Sequence, residues 1–323
     1  MRRALGLTTI TALSVTVAVA VACGSSDDDS KFDGASSGAS SGASGSSSGG
    51  FGSSSGGASG ATSSGASSGS SGGNCFAPVD MYIMFDKSGS MGDPAGNGSP
   101  GDCNIGDTVN SKWCHAINAL SGYLNSAAAK DQGAALQFFS GPDKPDCDTG
   151  SPYDKPATPA TSYTTLPSNA FDSVLNAKTP GGGTPMEAAL RGLTKFTAAN
   201  RRGGRVTIGI FVTDGDPQGC DEDLGHLSDI LQAHYAATTI RTYVIGMNGA
   251  TFSNLEQIAK GGNAPTHDAT VGSLTNACGD VTAPCRFWNV GDGDPAGFIQ
   301  ALAAIQQSAD GCKPGGGTIN PVN

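Results

Sequence analysis

Val79-Asp80-Met81-Tyr82-Ile83-Met84-Phe85-Asp86-Lys87-Ser88-Gly89-Ser90 is the stretch that decides the fold. Val79 to Phe85 is an apolar run broken only by Asp80 near its start. Such a run reads as a parallel strand buried on both faces. It stops at Asp86 and passes into a glycine-containing loop. A second run, Arg205 to Thr213, is the clearest strand of the chain, and it too stops at an aspartate, Asp214.

Working outward, strands and helices alternate. Lys112 to Ala129 places Trp113, Ile117, Leu120 and Leu124 at helical spacing. Ala134 to Phe139 reads as a strand, and Ser162 to Thr165 as a short one. Thr184-Pro185 opens a helix to about Ala199, with Pro at its first turn. Helices are expected over Asp223 to Ala237, Phe252 to Lys260 and Ala296 to Ser308, and strands over Ile240 to Gly246 and Arg286 to Val290. Asn263 to Pro284 looks like an insertion before the last strand. The alternation predicts an α/β domain over residues 75–312, with a doubly wound, mostly parallel, Rossmann-like sheet and helices on both faces. In such a sheet a ligand binds beyond the carboxyl ends of the strands, at the switch point. Asp86 and Asp214 each fall at such an end.

The rest of the chain has another character. Gly accounts for 49 of 323 residues and charged residues for only 14%, and the excess Gly and Ser is concentrated in one block. Gly34 to Gly73 is almost wholly Gly, Ser and Ala. It cannot bury enough apolar surface to offset chain entropy, so residues 23–74 read as a disordered linker. With about 50 residues its mean reach is about 40 Å. Residues 313–323 read as a disordered tail.

The N-terminus carries a targeting signal. Arg2 and Arg3 precede an uncharged, mostly apolar run from Ala4 to Ala22, the layout of an export signal. The run ends in Ala20-Val21-Ala22-Cys23-Gly24, which resembles the bacterial lipobox and departs from it at Ala20, where Leu is most usual. The resemblance implies a lipoprotein signal peptide over residues 1–22, lipid on Cys23, and anchorage in the cell envelope. Gly24 in place of Asp points to the outer membrane or cell surface in a Gram-negative host. The alternative is an uncleaved membrane anchor, since about 19 residues nearly span a bilayer. Either way the domain lies outside the cytoplasm.

Charge and cysteines agree with that placement. The net charge is −10. Setting aside Arg2, Arg3, Lys31, Asp27 to Asp29 and Asp33 leaves 15 basic and 24 acidic residues, a net −9. An acidic surface disfavours a nucleic-acid partner and suits cation binding. Besides Cys23 there are Cys75, Cys103, Cys114, Cys147, Cys220, Cys278, Cys285 and Cys312. Eight in an exported domain read as disulfides. The pairing expected is Cys75–Cys312 across the domain ends, Cys103–Cys114 and Cys278–Cys285 locally, and Cys147–Cys220 between two loops that follow strands. Without a Cys-x-x-Cys pair, a thiolate zinc site is not expected.

The loop Asp86-Lys87-Ser88-Gly89-Ser90 sends oxygen-bearing side chains from alternating positions toward one point. Thr184, after Gly181-Gly182-Gly183, offers a further hydroxyl, and Asp214, in Thr213-Asp214-Gly215, a second carboxylate. A hard dication such as Mg²⁺ takes oxygen ligands at about 2.1 Å in an octahedron. Asp-x-Ser-x-Ser, a later Thr before Pro, and a strand ending in Thr-Asp-Gly resemble the von Willebrand factor type A domain, from roughly Cys75 to Cys312. All five positions of that family's metal-ion-dependent adhesion site match. The resemblance implies that Ser88 and Ser90 ligate through hydroxyls and that Asp86 acts mainly through water. Thr184 would ligate directly and Asp214 directly or through water. A position is left for an acidic side chain of a protein or matrix ligand. Mg²⁺ is the first choice of ion, with Mn²⁺ or Ca²⁺ as substitutes.

Other polar clusters have plainer readings. Asp93, Asn97, Asp102, Asn104 and Asp107 could hold a second cation, but their spacing fits no EF-hand, and a solvated acidic loop is the simpler view. Asp216, Asp221, Glu222 and Asp223 either rim the site or serve a helix N-terminus, with Asp223 as a cap. His226 and His234 are too far apart on one helix to share a zinc ion. Trp113 and Trp288 read as core. Gly181 to Thr184 lacks the Lys of a P-loop, and Ser88 has no evident His partner in sequence. The expectation is therefore a binding module and not an enzyme. A structural lipoprotein with a metal-stabilised domain is the alternative, and an exported hydrolase a more distant one.

Overall fold

The computed structural model describes residues 77–94, 103–140, 145–159 and 162–309. The expected signal peptide, Cys23, the expected linker, Asn97, Asp102, the expected Cys75–Cys312 pair and the expected tail lie outside these residues. Among the described residues no helix is long and apolar enough to cross a membrane.

The strands are β1 (Val79–Asp86), β2 (Gly133–Phe139), β3 (Thr164–Thr165), β4 (Val206–Thr213), β5 (Arg241–Gly246) and β6 (Trp288–Asn289). They form one sheet in the order β3-β2-β1-β4-β5-β6. Every pairing is parallel except that of the short edge strand β3 with β2. From β1 the chain moves outward to β2 and β3 and then returns to lay β4 on the other side of β1. The switch point therefore lies between β1 and β4.

The helices are α1 (Lys112–Leu124), α2 (Asp172–Asn176), α3 (Met186–Ala199), α4 (Leu224–Thr238), α5 (Phe252–Gly261) and α6 (Pro295–Ala309). Alternation along β1 divides the core. Met81, Ile83 and Phe85 face Trp113 and Leu120 of α1 and Phe298 and Leu302 of α6. Tyr82 and Met84 share the opposite core with Leu190 and Phe196 of α3, Leu231 of α4 and Ile258 of α5. This is the doubly wound α/β arrangement expected, and Trp113 and Trp288 are both buried in it.

The differences from the sequence reading have local causes. The first helix stops at Leu124 rather than Ala129. There Ser126 Oγ donates to the Tyr123 carbonyl at 2.7 Å, and a 3₁₀ turn, Ala127–Ala129, follows. Pro185 is the N-cap of α3 and not part of its first turn. The last strand shrinks to Trp288–Asn289 because the Arg286 and Phe287 amides donate to the Glu256 carboxylate, at 2.7 and 3.2 Å, instead of to a strand. The Ser162–Thr165 strand keeps only Thr164 and Thr165, since next along the β2 edge the Leu136 amide donates to the Thr158 carbonyl at 2.8 Å and the Leu136 carbonyl accepts from the Ala157 amide at 2.8 Å. Helix α2 carried no periodic signal and is held by burial of Phe171 and Leu175.

Among the described residues three disulfides close loops: Cys103–Cys114, Cys147–Cys220 and Cys278–Cys285. The last clips the end of the Asn263 to Pro284 insertion. That insertion covers part of β6, with Asn289 N donating to the Ala277 carbonyl at 2.7 Å, so an exposed strand edge is protected.

Candidate metal centre

Asp86 ends β1 and Asp214 follows β4, on the two strands that flank the switch point. The β1–β4 register sets Phe85 against Val212, which brings Asp86 beside Thr213. Thr213 Oγ1 donates to Asp86 Oδ2 at 2.6 Å, and the Ser88 amide donates to Asp86 Oδ1 at 2.7 Å. Both oxygens of Asp86 are thus fixed from within the protein, and the carboxylate shapes the turn that follows it.

Thr184 arrives by backbone tethers. The Gly181 amide donates to the Lys87 carbonyl at 2.7 Å and the Gly89 amide to the Gly182 carbonyl at 3.0 Å. The glycine loop is therefore stitched to the Asp86–Ser90 turn, and the Gln218 amide, bonded to the Thr184 carbonyl at 2.9 Å, adds the loop after β4. Ser88 Oγ and Ser90 Oγ lie 3.0 Å apart, and Ser90 Oγ donates to Asp214 Oδ1 at 2.8 Å. A Cβ on residue 215 would stand 3.4 Å from Thr184 Oγ1 and 3.8 Å from Ser90 Oγ. Gly215 therefore leaves open the space between the hydroxyls. All five sequence-predicted residues meet at one place.

Two carboxylates share this buried place. Asp86, Ser88, Thr184 and Asp214 are each at most 3% exposed. Burial first, and then the neighbouring Asp214 charge, push the Asp86 carboxyl up to about 7. Burial also raises Asp214, although Lys112 opposes the rise. Paired buried carboxylates with hydroxyls between them are short of positive charge. The donor set, all oxygen with neutral and anionic members, fits a hard dication.

A family model for the von Willebrand factor type A domain matches residues 108–280, more than half of the chain. The chain belongs to the von Willebrand factor type A family. The match begins after the Asp86–Ser90 turn, and the structure supplies the part it leaves out: β1 sits at the centre of the type A sheet with that turn at its end. No curated protein matches the chain. Among solved structures, proximal thread matrix protein 1 from the mussel byssus, in a form with a zinc-occupied MIDAS motif, is similar at 14% identity and a TM-score of 0.41, covering 72% of this chain and 48% of that one. The type A domain of SpRpn10 is similar at 10% identity and a TM-score of 0.38, covering 71% and 94%. The pilus adhesin RrgA of Streptococcus pneumoniae is similar at 9% and 0.38, covering 72% and 44%. The chain spans about half the length of the mussel and pneumococcal proteins.

The structure adds two residues to the type A centre that sequence reasoning missed. Thr213 holds Asp86, and its place beside Asp214 in the strand end was the available signal. Lys112 forms an ion pair with Asp214, and as the first residue of a helix it carried no signal at all.

The surrounding acids have structural partners. Asp216 accepts from Thr251 Oγ1 at 2.7 Å and Asn254 Nδ2 at 3.1 Å, near the start of α5. Glu222 accepts from the Gly219 amide at 2.9 Å, and Asp107 from the Asn104 amide at 2.8 Å. Asp223 caps α4, accepting from the His226 amide at 2.8 Å. Asp223→Ala is expected to cost about 1 kcal/mol, read as a fall of about 2–4 °C in the melting temperature. His226 and His234 do not share a site. His226 Nε2 lies 3.0 Å from Arg191 Nη2, and His234 Nε2 lies 3.1 Å from Thr197 Oγ1. Two clusters place cysteine sulfurs near His267 or Glu187, but in each the two sulfurs are joined as a disulfide and offer no thiolate.

Proposed function

We propose that this chain is an envelope-anchored lipoprotein whose type A domain captures a protein or matrix ligand through a divalent cation, Mg²⁺ first and Mn²⁺ or Ca²⁺ as substitutes. The convergence of five oxygen donors from three chain segments at the switch-point edge of the sheet carries this reading. Ser88, Ser90 and Thr184 are neutral, so a cation held there keeps positive charge to offer. An aspartate or glutamate of a partner is the natural group to complete the shell. The lipobox-like sequence ending at Cys23 supports the anchor, and three disulfides suit an oxidising compartment. The long Gly/Ser/Ala segment would let the domain reach away from the membrane.

The role is binding and not catalysis. The Ser88 hydroxyl is engaged with Ser90, an arrangement suited to a ligand and not to an activated nucleophile.

Thr184→Ala is the test. Crosslinking on intact cells is expected to join the wild-type protein to a partner in Mg²⁺ and to lose that product in EDTA. Thr184→Ala should lose it in Mg²⁺ while keeping the wild-type circular-dichroism spectrum. Capture that persists in both EDTA and the variant would overturn the adhesive reading. No crosslink under any condition, together with a large rise in melting temperature on adding Mg²⁺, would favour a structural role for the ion.

A further inference from the structure

Beyond the five expected ligands, we infer that Lys112 is a built-in counter-charge that sets how tightly the centre holds a divalent cation. This rests on the reading of the centre as a cation site and adds to it a regulator of affinity.

The Lys112 side chain is 7% exposed and that of its partner Asp214 is fully buried. The ammonium also donates to the Asn248 carbonyl at 3.0 Å. Its backbone is fixed from the other side, since the Lys112 amide donates to the Asp93 carbonyl at 3.1 Å, and the Asp93 amide in turn to the Ser90 carbonyl at 3.0 Å. The loop after β5 presses on the pair. Gly249 adopts φ +114°, and a Cβ there would stand 2.7 Å from the Asp214 carbonyl oxygen and 3.1 Å from Lys112 Nζ. A side chain at 249 would be strained and would push against the lysine. The ammonium is therefore locked in place.

The two oxygens of Asp214 are divided. Oδ1 faces the Ser90 hydroxyl and Oδ2 faces Lys112. Lys112 thus occupies the side of the carboxylate away from the hydroxyls and leaves the other side to a cation. Asp86 and Asp214 together carry two negative charges when ionised. Lys112 cancels one, so a bound dication leaves the centre with a net charge of about +1 where it would otherwise be neutral. Asp93 is exposed, so water screens its contribution. The same ammonium repels an incoming cation across a few ångströms of buried space, where Coulomb forces are only partly screened. The expected result is a centre that holds its ion loosely alone and more tightly once an acidic ligand supplies the missing negative charge.

Calorimetric titration of the purified chain with Mg²⁺ and with Mn²⁺, without any partner, tests this. K112M and K112Q are each expected to bind the ions on the order of tenfold tighter than wild type, and K112R, which keeps the charge, to stay near wild type. K112Q retains a donor for the Asn248 carbonyl and covers the case in which K112M folds poorly. A lysine that merely props Asp214 in place would give the opposite sign. Folded K112M and K112Q with unchanged or weaker affinity, beside a wild type that binds, would overturn the role of Lys112 alone. Absence of binding by wild type and variants at millimolar cation would overturn the metal centre and this inference together.

Discussion

Asp80→Ala is expected to lower the unfolding free energy by about 3–5 kcal/mol, the range for removing one partner of a buried ion pair. Asp80 is the single acid inside the apolar run of β1, and it is fully buried. Arg202 grips it with both ends of its guanidinium, Nε donating to Oδ2 at 2.7 Å and Nη2 to Oδ1. Arg205 Nε adds a bond to Oδ1 at 2.6 Å. Arg205 Nη2 reaches on to the Asp131 carbonyl at 2.8 Å, just before β2. One carboxylate therefore ties the loop before β4 to the amino end of β1 and, through Arg205, to the segment before β2. Removing it leaves two guanidinium groups without their anion in a half-buried setting. Arg202→Met and Arg205→Met should each cost less, because these side chains are 32% and 18% exposed and water screens part of the loss. Urea unfolding of the three variants checks the order. An Asp80→Ala cost below that of either arginine change would refute it. Asp80 is at the amino end of β1 and the metal centre at its carboxyl end, so a folded Asp80→Ala protein should keep wild-type cation affinity.

Asp86→Asn is expected to weaken cation binding by about 10–100-fold, as loss of a water-bridging carboxylate at a metal site does, while making the cation-free protein more stable at alkaline pH. The second effect follows from the direction of the shift. The Asp86 carboxyl, ordinarily near 3.8, is raised to about 7 in the folded protein by burial and by Asp214. The folded state thus holds a proton that the unfolded state has released. Stability of the cation-free protein must fall as pH rises from about 4 through about 7, and then level off. Asn removes that dependence and keeps the shape. Its Oδ1 can still accept from the Ser88 amide, and the Thr213 hydroxyl can turn to accept from Nδ2. The stability difference between Asp86→Asn and wild type should therefore widen from pH 4 to pH 7 in EDTA. Saturating Mg²⁺ should narrow the difference at pH 8, because the wild type gains more from the ion than the variant does. Melting temperatures at pH 5 and pH 8, with EDTA and with Mg²⁺, read all four states. A flat difference across pH would show that Asp86 is ionised throughout and that the argument from burial is wrong.

The sequence by itself determined the layers and the five oxygen donors. Parallel strands buried on both faces need continuous apolar runs, so β1, β4 and β5 could be read directly. A metal loop needs its donors at fixed short spacing, so Asp86, Ser88 and Ser90 could be read as a unit. The Cys103–Cys114 and Cys278–Cys285 pairs were legible because their partners are close along the chain. Tertiary structure decided the rest. Glu256 shortens β6 by taking the amides of Arg286 and Phe287, and nothing near residue 286 announces it. Asp80 looked like a blemish in a strand until Arg202 and Arg205 closed on it. Lys112 was only the first residue of an expected helix until α1 packed its first turn against the loops after β4 and β5. Each of these is a polar contact made by a charged side chain to groups distant in sequence. Such contacts leave no periodicity and require no fixed spacing, since only the folded backbone brings the groups within reach. The five donors mark where a cation would sit. How strongly it is held depends on a lysine whose position only the packing of α1 could establish.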